Sequence, residues 1–223
     1  MRNIAVCALL ACTGSAFAGS VAVNTSAGTT NVTTAIASFS TDGADMAGMT
    51  VTFFYDNGSQ EDLIWGATGA TSGGVSMNAA IVQDGSTFTN AWTLTNASGY
   101  GITGIAFDGA PGDTIFDILN GAEHTVGSAN GKAFEVSTGG SAYDIVATYS
   151  NLIALTGDAP LGDLYRNLDI EFTQTAFRTG DTLTWLADTD NAALPDDIRP
   201  IPLPSAAGMG MIGLLAVGSR RRR

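Results

Sequence analysis

The chain has 223 residues, of which 28 are glycine and only 13% are charged. Without a segment at each end, roughly 180 residues remain, enough for one domain with its own hydrophobic core. The stretch 19–200 contains all 21 acidic side chains and four basic ones, so it carries a net charge of −17. This balance argues against a nucleic acid partner, because phosphate binding needs clustered Lys and Arg.

The first 18 residues have the pattern of a secretory signal peptide. Arg2 is followed by the apolar run Ile4–Ala11, and small residues then occupy positions Ala16 and Ala18. A basic start, a short hydrophobic region and a small-x-small site are typical of a cleavable export signal. We therefore expect cleavage after Ala18, which would leave Gly19 as the first residue of the exported protein.

Both cysteines of the chain, Cys7 and Cys12, lie within this candidate signal. The mature protein is therefore expected to contain no thiol, no disulfide and no thiolate metal site. An alternative interpretation treats Leu9–Cys12 as a lipidation motif, in which Cys12 would carry the lipid.

The body is predicted to be all-β, an antiparallel β-sandwich or jelly roll spanning residues 19–190. Short runs with period-two alternation are separated by Gly, Asn, Asp and Ser, which favour turns. Evenly spaced short strands of this kind are typical of sandwiches and jelly rolls. A short helical turn is predicted only at Ser150–Leu155 or Pro160–Asn167. The predicted strands are Met49–Tyr55, Ile81–Gln83, Thr87–Thr95, Ile102–Phe107, Thr114–Leu119, Ala133–Val136, Tyr143–Tyr149, Leu164–Phe172 and Thr182–Leu186.

An acidic stretch follows the last predicted strand. Asp188, Asp190 and Asn191 supply alternating hard oxygens of the type that calcium prefers. The sequence therefore suggests one calcium site here, although an ordinary acidic turn explains the same residues. No other cofactor is expected.

Two further function classes depend on side chains that are scattered through the body. Aromatic rings on strands can stack on sugars, so a carbohydrate-binding module is an alternative, with extracellular polysaccharide as its partner. The many carboxylates leave a two-acid glycoside hydrolase as a third, less favoured class. The leading prediction is a protein that is not an enzyme and has no catalytic residues. The rings concerned are Trp65, Trp92, Trp185, Tyr55, Tyr100 and Tyr143.

The carboxyl end has three segments in series after a predicted linker at residues 191–200. A proline motif consists of Ile201, Pro202, Leu203, Pro204 and Ser205, and an apolar stretch and four arginines follow it. The apolar stretch is about 18 Å long as a helix, short against a hydrocarbon core of about 30 Å. The arginines are predicted to hold the end in the cytoplasm, with the body outside. They are Arg220, Arg221, Arg222 and Arg223.

This tail resembles the sorting tails of the PEP-CTERM group, in the variant named VPLPA-CTERM after its Val-Pro-Leu-Pro-Ala signature. Pro202, Leu203 and Pro204 match that signature, whereas Ile201 replaces its Val and Ser205 replaces its Ala. The resemblance covers residues 201–223 alone. It implies processing near the motif by an exosortase, a membrane-embedded protease, so that the motif is a substrate. An ordinary hydrophobic tail anchor is the alternative.

Taken together, these features predict a protein exported across the inner membrane. We expect its tail to anchor it there at first, as a hydrophobic sorting helix, until an exosortase releases it. The resemblance then implies a structural role at the cell surface or in an extracellular matrix.

Overall fold

The computed structural model describes residues 19–38, 41–119, 123–128 and 131–201. The predicted signal peptide and everything after Ile201 lie outside this range. Seventeen strands and two short 3-10 turns make up the regular structure of the described residues, which contain no α-helix. In chain order the strands are β1 (Val21–Ser26), β2 (Asn31–Thr33), β3 (Ile36–Ser38), β4 (Thr50–Tyr55), β5 (Gln60–Ile64), β6 (Gly66–Ala67), β7 (Ser72–Ser76), β8 (Ala79–Asp84), β9 (Trp92–Asn96), β10 (Ile102–Asp108), β11 (Thr114–Asp117), β12 (Glu135–Thr138), β13 (Ile145–Leu155), β14 (Leu164–Phe172), β15 (Thr182–Leu186), β16 (Asp188–Ala192) and β17 (Arg199–Pro200).

The strands form two sheets. The larger has the order β17-β2-β13-β14-β10-β4-β5, with β1 added to β13 and the series β11, β16, β3 added beside β14. The smaller has the order β12-β15-β9-β8-β7-β6. The prediction of an all-β body with antiparallel sheets is therefore confirmed.

Two pairings depart from the antiparallel pattern, and both involve β13. Its first half pairs in parallel with β1, and its second half pairs in parallel with β2. The change of partner occurs at Asn151, whose φ of 62° places it in the left-handed region. Asparagine tolerates this conformation better than most residues. Its side-chain oxygen accepts a hydrogen bond from the Thr29 amide at 2.9 Å, which ties the bend to the loop between β1 and β2.

Most predicted strands are found, and two of them, β14 and β15, have the expected bounds. The turn that closes the β4–β5 hairpin is also as predicted: Gly58 has a φ of 80°, and Asn57 Oδ1 accepts a hydrogen bond from the Ser59 amide. The prediction of a helical turn was wrong at both places. Ser150–Leu155 is the second half of β13, and Pro160–Asn167 runs into the start of β14.

The core lies between the two sheets and is largely aromatic. The Trp92 ring of β9 contacts Phe107 of β10 edge-on, with 5.7 Å between ring centroids, so it joins the smaller sheet to the larger. Trp92 also stacks on Trp185 at 6.1 Å and contacts Trp65 at 5.1 Å. All three tryptophans are at most 1% exposed. Face-to-face packing of this kind gives a sandwich-like body.

The predicted linker at 191–200 instead belongs to the folded body. Asn191 and Ala192 complete β16, and Arg199–Pro200 forms β17 against β2. Ile198 is buried in a second, smaller apolar cluster together with Ile115, Ile153, Leu164 and Ala192. The sequence suggested a linker because Pro195 and paired acids interrupt the strand pattern, but Ile198 supplies an apolar anchor beyond them.

Candidate functional site

Four buried aspartates gather where β11 and β16 pair. Asp117, the last residue of β11, lies opposite Asp188, the first residue of β16. Asp190 lies two residues further along the same strand, so it projects from the same face as Asp188. Asp163, just before β14, interacts electrostatically with both Asp117 and Asp190. We call Asp117, Asp163, Asp188 and Asp190 the acid cluster; each is at most 2% exposed.

Three of these carboxylates accept hydrogen bonds from nearby hydroxyls. The Ser128 hydroxyl donates to Asp117 at 2.5 Å, and the Thr87 hydroxyl donates to Asp188 at 2.9 Å. Asp163 accepts from both the amide and the hydroxyl of Thr125. The acid cluster is therefore covered by polar side chains from the loop at 123–128 and from the segment before β9.

Asp190 differs from the other three. It is fully buried, and neither of its carboxylate oxygens has a hydrogen-bond partner among the described residues. Burial raises its pKa to about 8, and the charges of Asp117 and Asp188 add to the rise. A buried, unpaired carboxylate is costly, so the group is expected to be protonated or neutralised by a cation.

Burial also raises the pKa values of the neighbours, to about 7 for Asp188 and about 6 for Asp117. Lys132 opposes the rise at Asp188, but its Nζ lies 3.5 Å from the carboxylate of Glu135. Basic side chains therefore compensate little of the charge of the acid cluster.

The predicted calcium ligands do not all meet. Asp188 and Asp190 share a face, but Asn191 projects from the opposite face of β16, where its side-chain amide donates to the Asp45 carbonyl at 3.0 Å. Within the described ranges, no three acidic, histidine or cysteine side chains are placed so that they could hold a metal ion. Calcium binding stays a prediction, and Asn191 is not positioned as one of its ligands.

The sequence makes Asp117 a weaker oxygen-ligand candidate, grouped with Asp108 and Asp113 around the turn at 109–112 and not with Asp188 and Asp190. A charged residue interrupts the apolar run between Ile115 and Leu119, in a predicted strand whose neighbours are buried. Such a residue must find a partner inside the fold. Its pairing with Asp188, 71 positions later, follows only from the sheet topology.

The aromatic rings proposed as a sugar platform lie mostly in the core. The three tryptophans are buried, as are Tyr55 at 6% and Tyr143 at 2% exposure. Only Tyr100, at 52% exposure, presents its ring to solvent. The structure therefore shows no pair of these rings on an open sheet face.

The predicted signal-cleavage site and the predicted sorting motif each have one residue within the described part of the chain. Ala16, Ala18, Pro202–Ser205 and Arg220–Arg223 lie outside the described residues. The amide of Gly19 donates to the Ser141 carbonyl at 2.8 Å, and the amide of Ile201 donates to the Thr30 carbonyl at 3.1 Å. Gly19, at the expected cleavage site, and Ile201, the first residue of the proline motif, are thus both hydrogen-bonded to the body.

Comparisons with known proteins found no match to this chain among protein-family models, curated proteins or solved structures. A search of the described residues for a helix with the length and apolar character to cross a membrane found none.

Proposed function

We propose that this chain is an exported structural protein of the cell surface or extracellular matrix, with a β-sandwich body and a tail that is sorted by an exosortase-type membrane protease. The observation that supports this best is at the carboxyl end of the fold. Ile201, the first residue of the proline motif, donates its amide hydrogen to the Thr30 carbonyl. Cleavage within or after that motif would release a body with every described strand intact.

The contacts just before Ile201 support the same proposal. Asp197 is 4% exposed, and one of its oxygens accepts hydrogen bonds from the Thr34 amide at 2.5 Å and the Thr33 hydroxyl at 3.0 Å. Arg199 pairs with the other oxygen at 3.1 Å, and β17 then follows. These contacts hold residues 197–201 against the body, so a cut beyond Ile201 would leave them in place, which supports the proposal.

The two alternatives have less support. A carbohydrate-binding module would need exposed rings, and five of the six candidate rings are in the core. A two-acid hydrolase would need carboxylates that reach a substrate, and those of the acid cluster are enclosed within the body. A highly acidic body suits a protein that must stay soluble outside the cell.

The proposal is tested in cells that make the full chain. Replacing Pro202 and Pro204 together by Ala should leave export intact and keep the protein in the membrane fraction. The matched control replaces Pro160 and Pro195, two prolines outside the strands of the body. Equal release of the motif variant and the control would contradict the sorting proposal.

A second proposal concerns the acid cluster: calcium stabilises the mature body there. It is favoured by the buried carboxylate of Asp190, which has no donor among the described residues. Asp117 and Asp188 would supply further carboxylate ligands. Neutral oxygens would supply the rest, because calcium accepts six to eight oxygen ligands of mixed type. Side-chain rotation would be required, since the carboxylates do not converge in the structure.

A further inference from the structure

The first strand, β1, is an edge strand with an open side. It pairs with β13 along one side, and none of the described strands pairs with its other side. All six of its residues are exposed, including Val21 at 45% and Val23 at 41%. An exposed edge of this length is a template for pairing with another strand.

The hydrogen-bond pattern shows which backbone groups are open. The Ser20 carbonyl accepts a hydrogen bond from the Ile145 amide at 2.8 Å, at the start of the parallel ladder. Residues of a strand alternate in the direction of their backbone groups. The amides and carbonyls of Val21, Val23 and Thr25 therefore point away from β13, toward solvent.

The other edges of the two sheets are protected and β1 is not. Edge strands are usually blunted by charge, proline, a bulge or shortness. Strand β5 carries Glu61 and Asp62; β12 carries Glu135 and a register shift after Val136; β3, β6 and β17 have only two or three residues. Among the described edges, β1 alone has six residues without a charge, a proline or a bulge.

We propose that β1 pairs with β1 of a second copy of this chain, antiparallel and about a two-fold axis at Val23. In this register Val23 lies opposite Val23, and Val21 lies opposite Thr25. The outward amides of each strand then meet the outward carbonyls of the other, giving about six backbone hydrogen bonds. This inference goes beyond the proposed export route and does not depend on it.

The strand itself indicates why the partner is a second copy. A two-fold axis at Val23 places donors opposite acceptors and β-branched side chains opposite each other, without any other sequence. No charge on β1 opposes this contact. The bodies behind it each carry −17, so they repel each other and the association should strengthen when salt screens that repulsion.

The cross-linking test uses residues 19–201, which contain every strand of both sheets and both apolar clusters and no cysteine. In the proposed pair, Val23→Cys places two thiols on Cα atoms about 5.5 Å apart, within disulfide range. Ala22→Cys is the matched control: its Cα atoms would be about 8 Å apart, beyond that range. Both positions are exposed and adjacent.

Under mild oxidation we expect at least about tenfold more disulfide-linked dimer from Val23→Cys than from Ala22→Cys, with the difference growing as salt is added. Val23→Pro removes an outward amide and should lower the dimer fraction in sedimentation without changing the melting temperature. Equal cross-linking at both positions, no dimer at any salt concentration, or a dimer that Val23→Pro leaves unchanged would overturn the proposal.

Discussion

Two parts of this body are equally buried but differ in what their side chains meet. The aromatic core pairs apolar rings across the sheets, and the indole nitrogen of Trp92 donates to the Ala187 carbonyl at 2.9 Å. The acid cluster places four carboxyl groups in a similarly enclosed space, where Asp190 has no donor among the described residues. Burial therefore stabilises the first region and is costly in the second unless a proton or cation neutralises it.

Asp197, a buried acid outside the acid cluster, shows how hydrogen-bond donors change the effect of burial. Asp197 is also buried, but hydrogen bonds from the Thr34 amide lower its pKa, with help from the hydroxyls of Thr33 and Thr34 and from Arg199. Neither oxygen of Asp190 has a hydrogen-bond partner among the described residues. The Ser128 hydroxyl lowers its pKa, but burial and the charges of Asp117 and Asp188 raise it more. The number and type of donors, more than burial alone, decide whether an enclosed carboxylate favours the folded state.

The largest expected effect is in the aromatic core. Trp92→Ala should lower the free energy of unfolding by about 3–5 kcal/mol, because it removes a fully buried ring that contacts both sheets. Urea unfolding of residues 19–201 measures this change. Tyr100→Ala, at an exposed ring, should change stability by less than about 0.5 kcal/mol. Similar losses for the two variants would show that the core is not where the structure puts it.

Calcium should have the next largest effect. At about a hundred times its dissociation constant it should add roughly 2.7 kcal/mol and raise the melting temperature by several degrees, and more than magnesium at equal ionic strength. Asp188→Asn with Asp190→Asn should abolish the difference between the ions. Asp56→Asn with Asp158→Asn replaces the same number of carboxyl groups at exposed positions and should preserve the difference between the ions. Equal increases in melting temperature with calcium and with magnesium would contradict the calcium proposal.

The pH dependence of stability should follow from Asp190 when chelator removes divalent ions. Because its folded pKa is raised, to about 8, the folded state holds a proton that the unfolded state loses near pH 4. The contribution of Asp190 to the free energy of unfolding is then fully present below about pH 4 and is lost as pH rises through about 8. Asp190→Asn should flatten this fall, so that the variant is harder to unfold than the parent at pH 8.5. A parent protein equally stable at pH 5 and pH 8.5 would contradict the assignment.

The smallest effect is expected at Asp197, whose contribution to stability changes with pH in the opposite direction to that of Asp190. Because hydrogen bonds lower its pKa, its contribution is present above the unfolded pKa near 4 and is lost as pH falls below it. Asp197→Asn should therefore cost about 1 kcal/mol at pH 7 and little at pH 3. Thermal unfolding at the two pH values measures this. A loss of the same size at both would point to packing as the cause.

Much of the fold could be predicted because alternation marks strands that are half-buried. Strands β14 and β15 have the predicted bounds, and β4 begins one residue later than predicted. The predicted strand at Thr87 begins only at Trp92, because Thr87 itself turns inward and binds Asp188 and the Thr41 carbonyl. Strand β1 was hard to predict since all its residues are exposed, and no alternation distinguishes them.

The candidate site was predicted in part. Asp188 and Asp190 are brought together because they are two residues apart on one strand, whereas Asn191, one residue further, faces the other way. Asp117 joins them through a pairing between distant strands, which composition and spacing do not specify. The export signal at residues 1–18 and the sorting tail at residues 201–223 rest on sequence motifs alone, and the roles of both segments stay predictions.

The central claim, an exported body released from its tail, is tested most directly by the mass of the protein recovered outside the cells. We predict a chain that begins at Gly19 and ends within or close to the motif Ile201–Ser205. The same cells without exosortase activity should yield the body only in the membrane fraction. Released protein that still contains residues 206–223, or protein that keeps residues 1–18, would contradict the account.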